Sequence, residues 1–486
     1  MSGRAGRPHP IRFGTDGWRG LIAGEFTFAN VERVAQAYAD YLLRRGEEGE
    51  ESPGDGETAA PHVVVGYDRR FLSEQFAQTT CEVLHGNGLR VSAFEGDVPT
   101  PLVSWAVREA GAAGGVVITA SHNPAYFNGF KIKAPFGGSA TPEMTLAVES
   151  RLDAAEPRRE SLPAGTGEDL APYARSYRQQ ISSYIDLDLL KRTDASVVID
   201  PMHGTGGRWV EGFLRGGALR AETIRAERDP LFGGVAPEPI DRNLAPLKRR
   251  VREAGALLGL ATDGDADRVG AVNELGEAMT MHEVVPLVLL HLARRRGMAG
   301  GVVRTFSQSV LLKRIAAAHD LPLHETPIGF KYIADLMLRE DILIGAEESG
   351  GIGVRGHIPE RDGLLNSLLF LEAVVSSGKR PTELVSEMHR EFGEFYFGRE
   401  DLHAEVSRGL SLVEQLGASP PVGIGGEEVV GVEKTDGTKL LFADESWLLF
   451  RQSGTEPVLR VYSEATSREK MRALLGAGAV LARVYH

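Results

Sequence analysis

The chain has 486 residues, which at roughly 150 per domain implies three or four domains and excludes a single compact core. Its 42% hydrophobic and 25% charged residues exclude wholesale disorder, and a formal net charge of −13 argues against nucleic acid or an anionic membrane as partner. Any phosphate the chain binds must therefore be met by a local basic site. The single cysteine, Cys81, excludes an internal disulfide and a cysteine-based metal cluster. With no run of ~18 apolar residues, and no apolar core in the opening MSGRAGRPHP, the sequence predicts a cytoplasmic protein without a membrane segment.

In chain order, the tail to about Pro10 is expected to be disordered. Val31, Val34, Ala35, Tyr38 and Leu42 recur at helical spacing and predict a helix over 28–46, stopped at Gly46. The acidic, Gly- and Pro-rich run Glu47 to Pro61 reads as a loop, as does Glu156 to Asp169. A pattern then occurs three times: a Val/Ile/Leu run ending in a polar or glycine-rich turn. Its first members are HVVVGYDRR, SVVIDPMHGTGG and GVVRTFSQS, and each has a second member, GGVVITASHNP, LLGLATDGDADR and DILIGAEESGG. Continuous apolar runs fit central strands covered on both faces, and in such sheets ligands bind beyond the carboxyl ends of strands. After about Gly398, GEEVVGVEKTDGTKLLF predicts a hairpin turning at Asp436 and Gly437, SWLLF and VLRVYSEA further strands, and SREKMRALL a helix. The predicted architecture is three related α/β domains with mixed, mostly parallel sheets (1–185, 186–295, 296–398), plus a C-terminal α+β domain (399–486), around a central cleft.

Four turns carry candidate chemistry. Ser121 in TASHNP directly follows a buried strand; it is placed to react, or it caps the next segment through its hydroxyl. No GxSxG elbow surrounds it, so a hydrolase triad is disfavoured. Asp263, Asp265 and Asp267 alternate with Gly264 and Ala266, which on an extended loop turns three carboxylates to one side and suits Mg²⁺. An EF-hand is disfavoured because Arg268, not glycine, stands at the sixth position, and the bland alternative is an exposed acidic turn. Glu347, Glu348, Ser349, Gly350 and Gly351 offer acceptors for sugar hydroxyls, or equally a glutamate-rich helix N-terminus. Arg451, Ser453, Gly454, Thr455 and Arg460 have the composition of a phosphate cradle without a Walker A sequence, against the alternative of a surface turn.

Together FGTDGWRG, TASHNP, DGDADR, EESGG and RQSGTEPVLRVYSEA resemble, in order and spacing over nearly the whole chain, the α-D-phosphohexomutase superfamily. The resemblance implies a phosphoserine at Ser121 that also contacts the metal, with Asp263, Asp265 and Asp267 as Mg²⁺ ligands. It implies phosphoserine contacts by His122 and Arg268, sugar contacts by Glu347 and Ser349, and a substrate-phosphate loop of Arg451, Ser453, Gly454, Thr455 and Arg460. Arg19 and Lys131 match basic residues assisting proton or phosphoryl transfer. The implied substrate is a hexose phosphate, with glucose 1,6-bisphosphate as activator. The sugar loop departs from the patterns GEMSGH and GEQSGH of mannose/glucose and glucosamine members: Ala346 replaces a glycine and Gly351 a histidine. Its EES core and HIPERDG (His357 to Gly363) are closer to phosphoglucomutases, and the missing histidine leaves His357 and Lys131 as candidate general bases.

Overall fold

The computed structural model describes residues 10–14, 17–47, 60–163, 167–453 and 457–484. The expectations for the N-terminal tail, for most of the Glu47–Pro61 loop and for Gly454 and Thr455 lie outside the described residues. The first helix, Phe28–Glu47, buries the predicted stripe Val31, Val34, Ala35, Tyr38 and Leu42. Residues 156–163 and 167–169 have no regular secondary structure, as their composition implies.

All six apolar runs are strands. His62–Tyr67 pairs in parallel with Arg90–Ala93 and with Gly114–Ile118, which pairs antiparallel with Phe127–Lys133. Ser196–Asp200 relates in the same way to Arg220–Thr223 and Leu258–Thr262, and the latter pairs antiparallel with Val269–Val272. Gly301–Thr305 repeats the scheme with Leu323–Thr326, Ile342–Ala346 and the antiparallel Ile352–Val354. Parallel central strands need cover on both faces, which is why Gly114–Ile118, Leu258–Thr262 and Ile342–Ala346 are buried along their whole length. Each of these three strands ends at one of the predicted turns, just before Ser121, Asp263 and Glu347.

The C-terminal sheet is antiparallel, in the order Tyr396–His403, Val458–Ala465, Trp447–Gln452, Thr438–Leu441, Gly431–Glu433. The predicted hairpin turns between Glu433 and Thr438, but its first arm is split: Glu427–Glu428 pairs instead with Gly423–Ile424. The strand Tyr396–His403 carries the chain across the expected boundary at 398.

Two compact units result, one formed by the described residues up to Gly276 with Gly356–Leu368, the other by Glu277–Arg355 with those after Leu368. Within the second, the buried Glu464 accepts hydrogen bonds from Ser309 Oγ (2.5 Å), Val310 N (2.8 Å) and Trp447 Nε1 (3.0 Å) and pairs with His282 (2.9 Å). A carboxylate satisfied this fully ties the C-terminal sheet to the start of the helix Val310–Ala318. No helix among the described residues is long and apolar enough to cross a membrane.

Candidate active site

In the first unit the chain gathers a serine, three aspartates and several cations. Ser121 takes a left-handed backbone, φ 52°, and its Oγ donates to Asp263 Oδ2 at 2.7 Å. The hydroxyl therefore does not cap the following segment. Its turn is held from beneath by Arg70, a fully buried guanidinium that donates to the carbonyls of Ser121 (2.6 Å), Asn123 (2.7 Å), Pro124 (2.8 Å) and Phe127 (3.1 Å). Asp68, equally buried, accepts from Arg70 Nε at 3.0 Å and from Thr119 Oγ1 at 2.6 Å. Nothing in YDRR marks Arg70 off from Arg69 as the one that turns inward. Arg19 Nη1 donates to Asn123 Oδ1 at 2.6 Å, because the strand Trp18–Leu21 pairs with Phe127–Lys133 beside the turn. His122 Nδ1 stands 3.4 Å from Ser121 Oγ.

Asp263, Asp265 and Asp267 are each fully buried, which rules out the exposed acidic turn. Gly264 is required between them, since a Cβ there would lie 2.4 Å from the carbonyl oxygen of Ser121. Lys131 Nζ donates to Asp265 Oδ2 (2.8 Å) and Asp267 Oδ2 (3.0 Å), and Thr100 Oγ1 donates to Asp265 Oδ2 (2.7 Å). Arg361 Nη2 reaches Asp267 Oδ2 at 2.9 Å. Burial, then the charges of Asp267 and Asp265, pushes the Asp263 carboxyl well above the usual carboxylate range. Burial opposes ionisation of Asp265 too, but the charge and hydrogen bond of Lys131, with the hydrogen bonds of Thr100 and Asp263, together hold that group below its ordinary value.

The three aspartates each offer a carboxylate oxygen within 4.8 Å of the others. The Oδ1 atoms of Asp265 and Asp267 are buried without a hydrogen-bond partner among the described residues. Buried acceptors left open on converging carboxylates are what a small hard cation satisfies, so these residues fit a divalent metal. Arg268 Nε is likewise buried without a hydrogen-bond partner among the described residues, 3.8 Å from Asp267 Oδ1.

His357 sits elsewhere in its packing. Its Nε2 is 2.8 Å from Asp362 Oδ2, which also accepts from Tyr177 OH at 2.7 Å, and its ring stacks on Trp105. Asp362 Oδ1 accepts from the backbone of Leu364 and Leu365 at the start of the helix Gly363–Ser377. These contacts make His357 an anchor for a helix start. The rest of HIPERDG is also committed: Glu360 pairs with Lys133 at 2.7 Å and Arg361 with Asp267.

The second unit carries the other two turns. Glu347 to Gly351 joins two antiparallel strands, with Glu347 N donating to Gly351 O at 2.9 Å, so it is a turn rather than a helix N-terminus. Glu348 accepts from Ser307 Oγ at 3.0 Å and faces Arg399 Nη1 at 3.9 Å. Arg451 and Arg460 are direct cross-strand partners, and Asp401 is the partner of Arg460 on its other side. Arg399, not singled out by the sequence, is the partner of Tyr462 two residues along. Like charges opposite one another on a sheet repel unless an anion lies between them. Arg451 is held by Asp436 (2.9 Å) and Arg399 by Asp401 (2.7 Å). Tyr462 has its hydroxyl buried, and burial followed by the charge of Glu348 pushes it up to about 12. Ser453 is buried, its backbone N donating to Val458 O at 2.9 Å.

Four sequence profiles match the chain: "Phosphoglucomutase/phosphomannomutase, alpha/beta/alpha domain I" at residues 10–159, domain II at 175–276, domain III at 281–392 and the C-terminal domain at 413–477. A protein of Thermococcus kodakarensis named phosphoglucomutase/phosphomannomutase is 32% identical over 472 residues, covering 96% of this chain and 97% of that one. A phosphoglucosamine mutase of Levilactobacillus brevis is 29% identical over 475 residues, covering 96% of both. A solved structure from Thermus thermophilus, provisionally named a phosphomannomutase, superposes with a TM-score of 0.85 at 37% identity, covering 98% of this chain and all of the other. The chain belongs to the phosphoglucomutase/phosphomannomutase family, within the α-D-phosphohexomutase superfamily. It is an isomerase of the phosphohexomutase class.

Proposed function

We propose that the chain is a Mg²⁺-dependent phosphoglucomutase that interconverts glucose 1-phosphate and glucose 6-phosphate through a phosphorylated Ser121. The observation that carries this is Ser121 Oγ at 2.7 Å from Asp263, in one buried cluster with Asp265, Asp267 and Lys131. Charge balance supports the metal. Lys131 is bonded to Asp265, Arg361 to Asp267, and Arg268 stands 3.8 Å from Asp267, so a phosphoryl group of about −2 on the serine adds charge that a divalent cation beside it would balance. Asp263, Asp265 and Asp267 would hold Mg²⁺, which when bound neutralises charge on the transferring oxygens.

In this reading phosphoserine 121 donates its phosphoryl group to the free hydroxyl of a hexose monophosphate, giving the 1,6-bisphosphate. That intermediate turns around and returns its other phosphate to Ser121. Added glucose 1,6-bisphosphate activates by phosphorylating the serine of idle enzyme. Arg19 and Arg268 steady the phosphoryl oxygens, with His122 beside them. Of the two candidates for proton transfer, Lys131 shares the aspartate cluster with Ser121, whereas His357 anchors a helix start through Asp362. In the second unit Glu347 and Ser349 accept and donate to sugar hydroxyls, while Arg451, Ser453, Gly454, Thr455 and Arg460 grip the distal phosphate in either orientation. Catalysis of this kind is mostly positioning and electrostatics.

The glucose preference rests on the Glu347–Glu348–Ser349 sequence, since HIPERDG is occupied in holding Lys133, Asp267 and the helix start. Initial rates on glucose, mannose and glucosamine 1-phosphates test it. Glucose phosphate is expected to give the largest kcat/KM, and a clear preference for glucosamine phosphate, the activity named for several relatives near 29% identity, would replace it.

Arg460→Ala should raise KM about tenfold or more in both directions, the loss of one charge-assisted hydrogen bond of roughly 1.5–3 kcal/mol. It should also deepen the dependence on added glucose 1,6-bisphosphate as intermediate escapes. Wild-type KM in each direction would remove Arg460 from the phosphate loop. Asp265→Asn should raise the Mg²⁺ concentration for half-maximal rate and lower the saturated rate together, because it removes one of three carboxylates and the charge that anchors Lys131. An unchanged Mg²⁺ titration would contradict the metal assignment.

A further inference from the structure

A cavity of about 530 Å³ lies in the first unit, lined by Arg69, Arg178, Arg208, Arg215, Thr205 and Trp209 among others. None of these residues belongs to the Ser121 cluster. In a chain of net charge −13, four guanidiniums around one cavity are a local reversal of sign. Their carboxylate partners do not use them up. Arg69 pairs with Asp97 (2.6 Å), itself on the cavity wall, and donates from Nη1 to Ala226 O (2.7 Å); Arg208 and Arg215 share Glu211 (2.8 and 3.2 Å), and Glu227 stands 3.7 Å from Arg208.

Arg178 has no hydrogen-bond or ion-pair partner among the described residues. Its guanidinium lies 3.7 Å from the centroid of the Trp209 ring, which holds the planar group in place with its N–H donors unspent. Thr205, on the loop after the strand Ser196–Asp200, is buried with its hydroxyl unpartnered among the described residues. Preorganised guanidiniums, one of them unpaired, beside an unsatisfied hydroxyl in a cavity large enough for a small metabolite form an anion-binding arrangement.

We propose that this cavity is a second anion site, taking a small phosphate-bearing molecule with at least two negative charges. Its walls touch the reaction site's framework at two points. Thr205 N donates to Gly264 O at 3.1 Å, within the aspartate loop, and Arg69 precedes Arg70, which holds the Ser121 turn. An anion drawing on Arg69 and Thr205 would sit against residues that adjoin both loops.

Calorimetric titration of the whole chain with methylenediphosphonate, at low salt and without divalent cation, should give two sites per chain. Arg178→Ala/Arg208→Ala, both on exposed side chains, should weaken one of them at least tenfold while leaving basal mutase rates unchanged, and Arg178→Gln alone should weaken it several-fold. Arg460→Ala should weaken the other about tenfold. Loss of a site in the double variant but not in Arg460→Ala would support the cavity and count against the phosphate loop. A double-variant isotherm identical to wild type would overturn the proposal, and citrate displacing the diphosphonate from this site at lower concentration would overturn its assignment to phosphate.

Discussion

Ser121→Ala is expected to lower turnover by on the order of 10⁴-fold or more, because it removes the atom that carries the phosphoryl group rather than one that assists it. The fold should survive. Asp263 keeps the backbone N–H groups of Asp267 and Arg268 on Oδ1 at 3.0 and 3.1 Å, and Arg70 still holds the turn through carbonyls that the substitution does not touch. Binding of hexose phosphate should change little, since the predicted sugar and phosphate contacts lie on other turns. Intact-mass measurement should find one added phosphate on the wild-type peptide containing Ser121 and none on the variant. Mutase activity near wild type in the alanine variant would end the phosphoserine mechanism.

Arg70→Ala is expected to destabilise the first unit by about 3–5 kcal/mol, the usual cost of leaving one member of a buried charge pair alone. Asp68 would lose its cation at full burial, and four carbonyls of the Ser121 turn would lose their donor together. The turn also holds Ser121 at φ 52°, a conformation that non-glycine residues keep only when their surroundings over-determine it. Arg70→Lys separates the two effects. It keeps the charge for Asp68 but cannot fork across four carbonyls, so stability should largely return while kcat stays low and KM moves little. Denaturant unfolding and steady-state rates measure both. A lysine variant with wild-type kcat would assign Arg70 to folding alone.

Much of the fold was legible because its strands are nearly uninterrupted Val, Ile and Leu, the composition of a parallel sheet covered on both faces, and because each run stops at glycine and polar residues. The same local signal located the four turns: a strand end is written in neighbouring residues. The first arm of the C-terminal hairpin differs from its pattern because its division between two sheets depends on what pairs with Glu427–Glu428, and Gly423–Ile424 carries no pattern of its own.

Local residue order was enough for the set of strands and turns and for the chemical type of each turn: a serine, alternating aspartates, glutamates with a serine, arginines with hydroxyls. Which distant groups complete those turns emerged with the folded chain alone. Arg70 enters the serine turn, Arg361 reaches Asp267, Arg399 joins Glu348 and Tyr462, and His357 goes to Asp362. Arg70 and Arg69 are chemically identical neighbours, yet one is buried beneath Ser121 and the other lines a separate cavity. Alternation along the chain sends adjacent side chains in different directions, but which direction meets four carbonyls and which meets solvent is set by segments over 50 residues away.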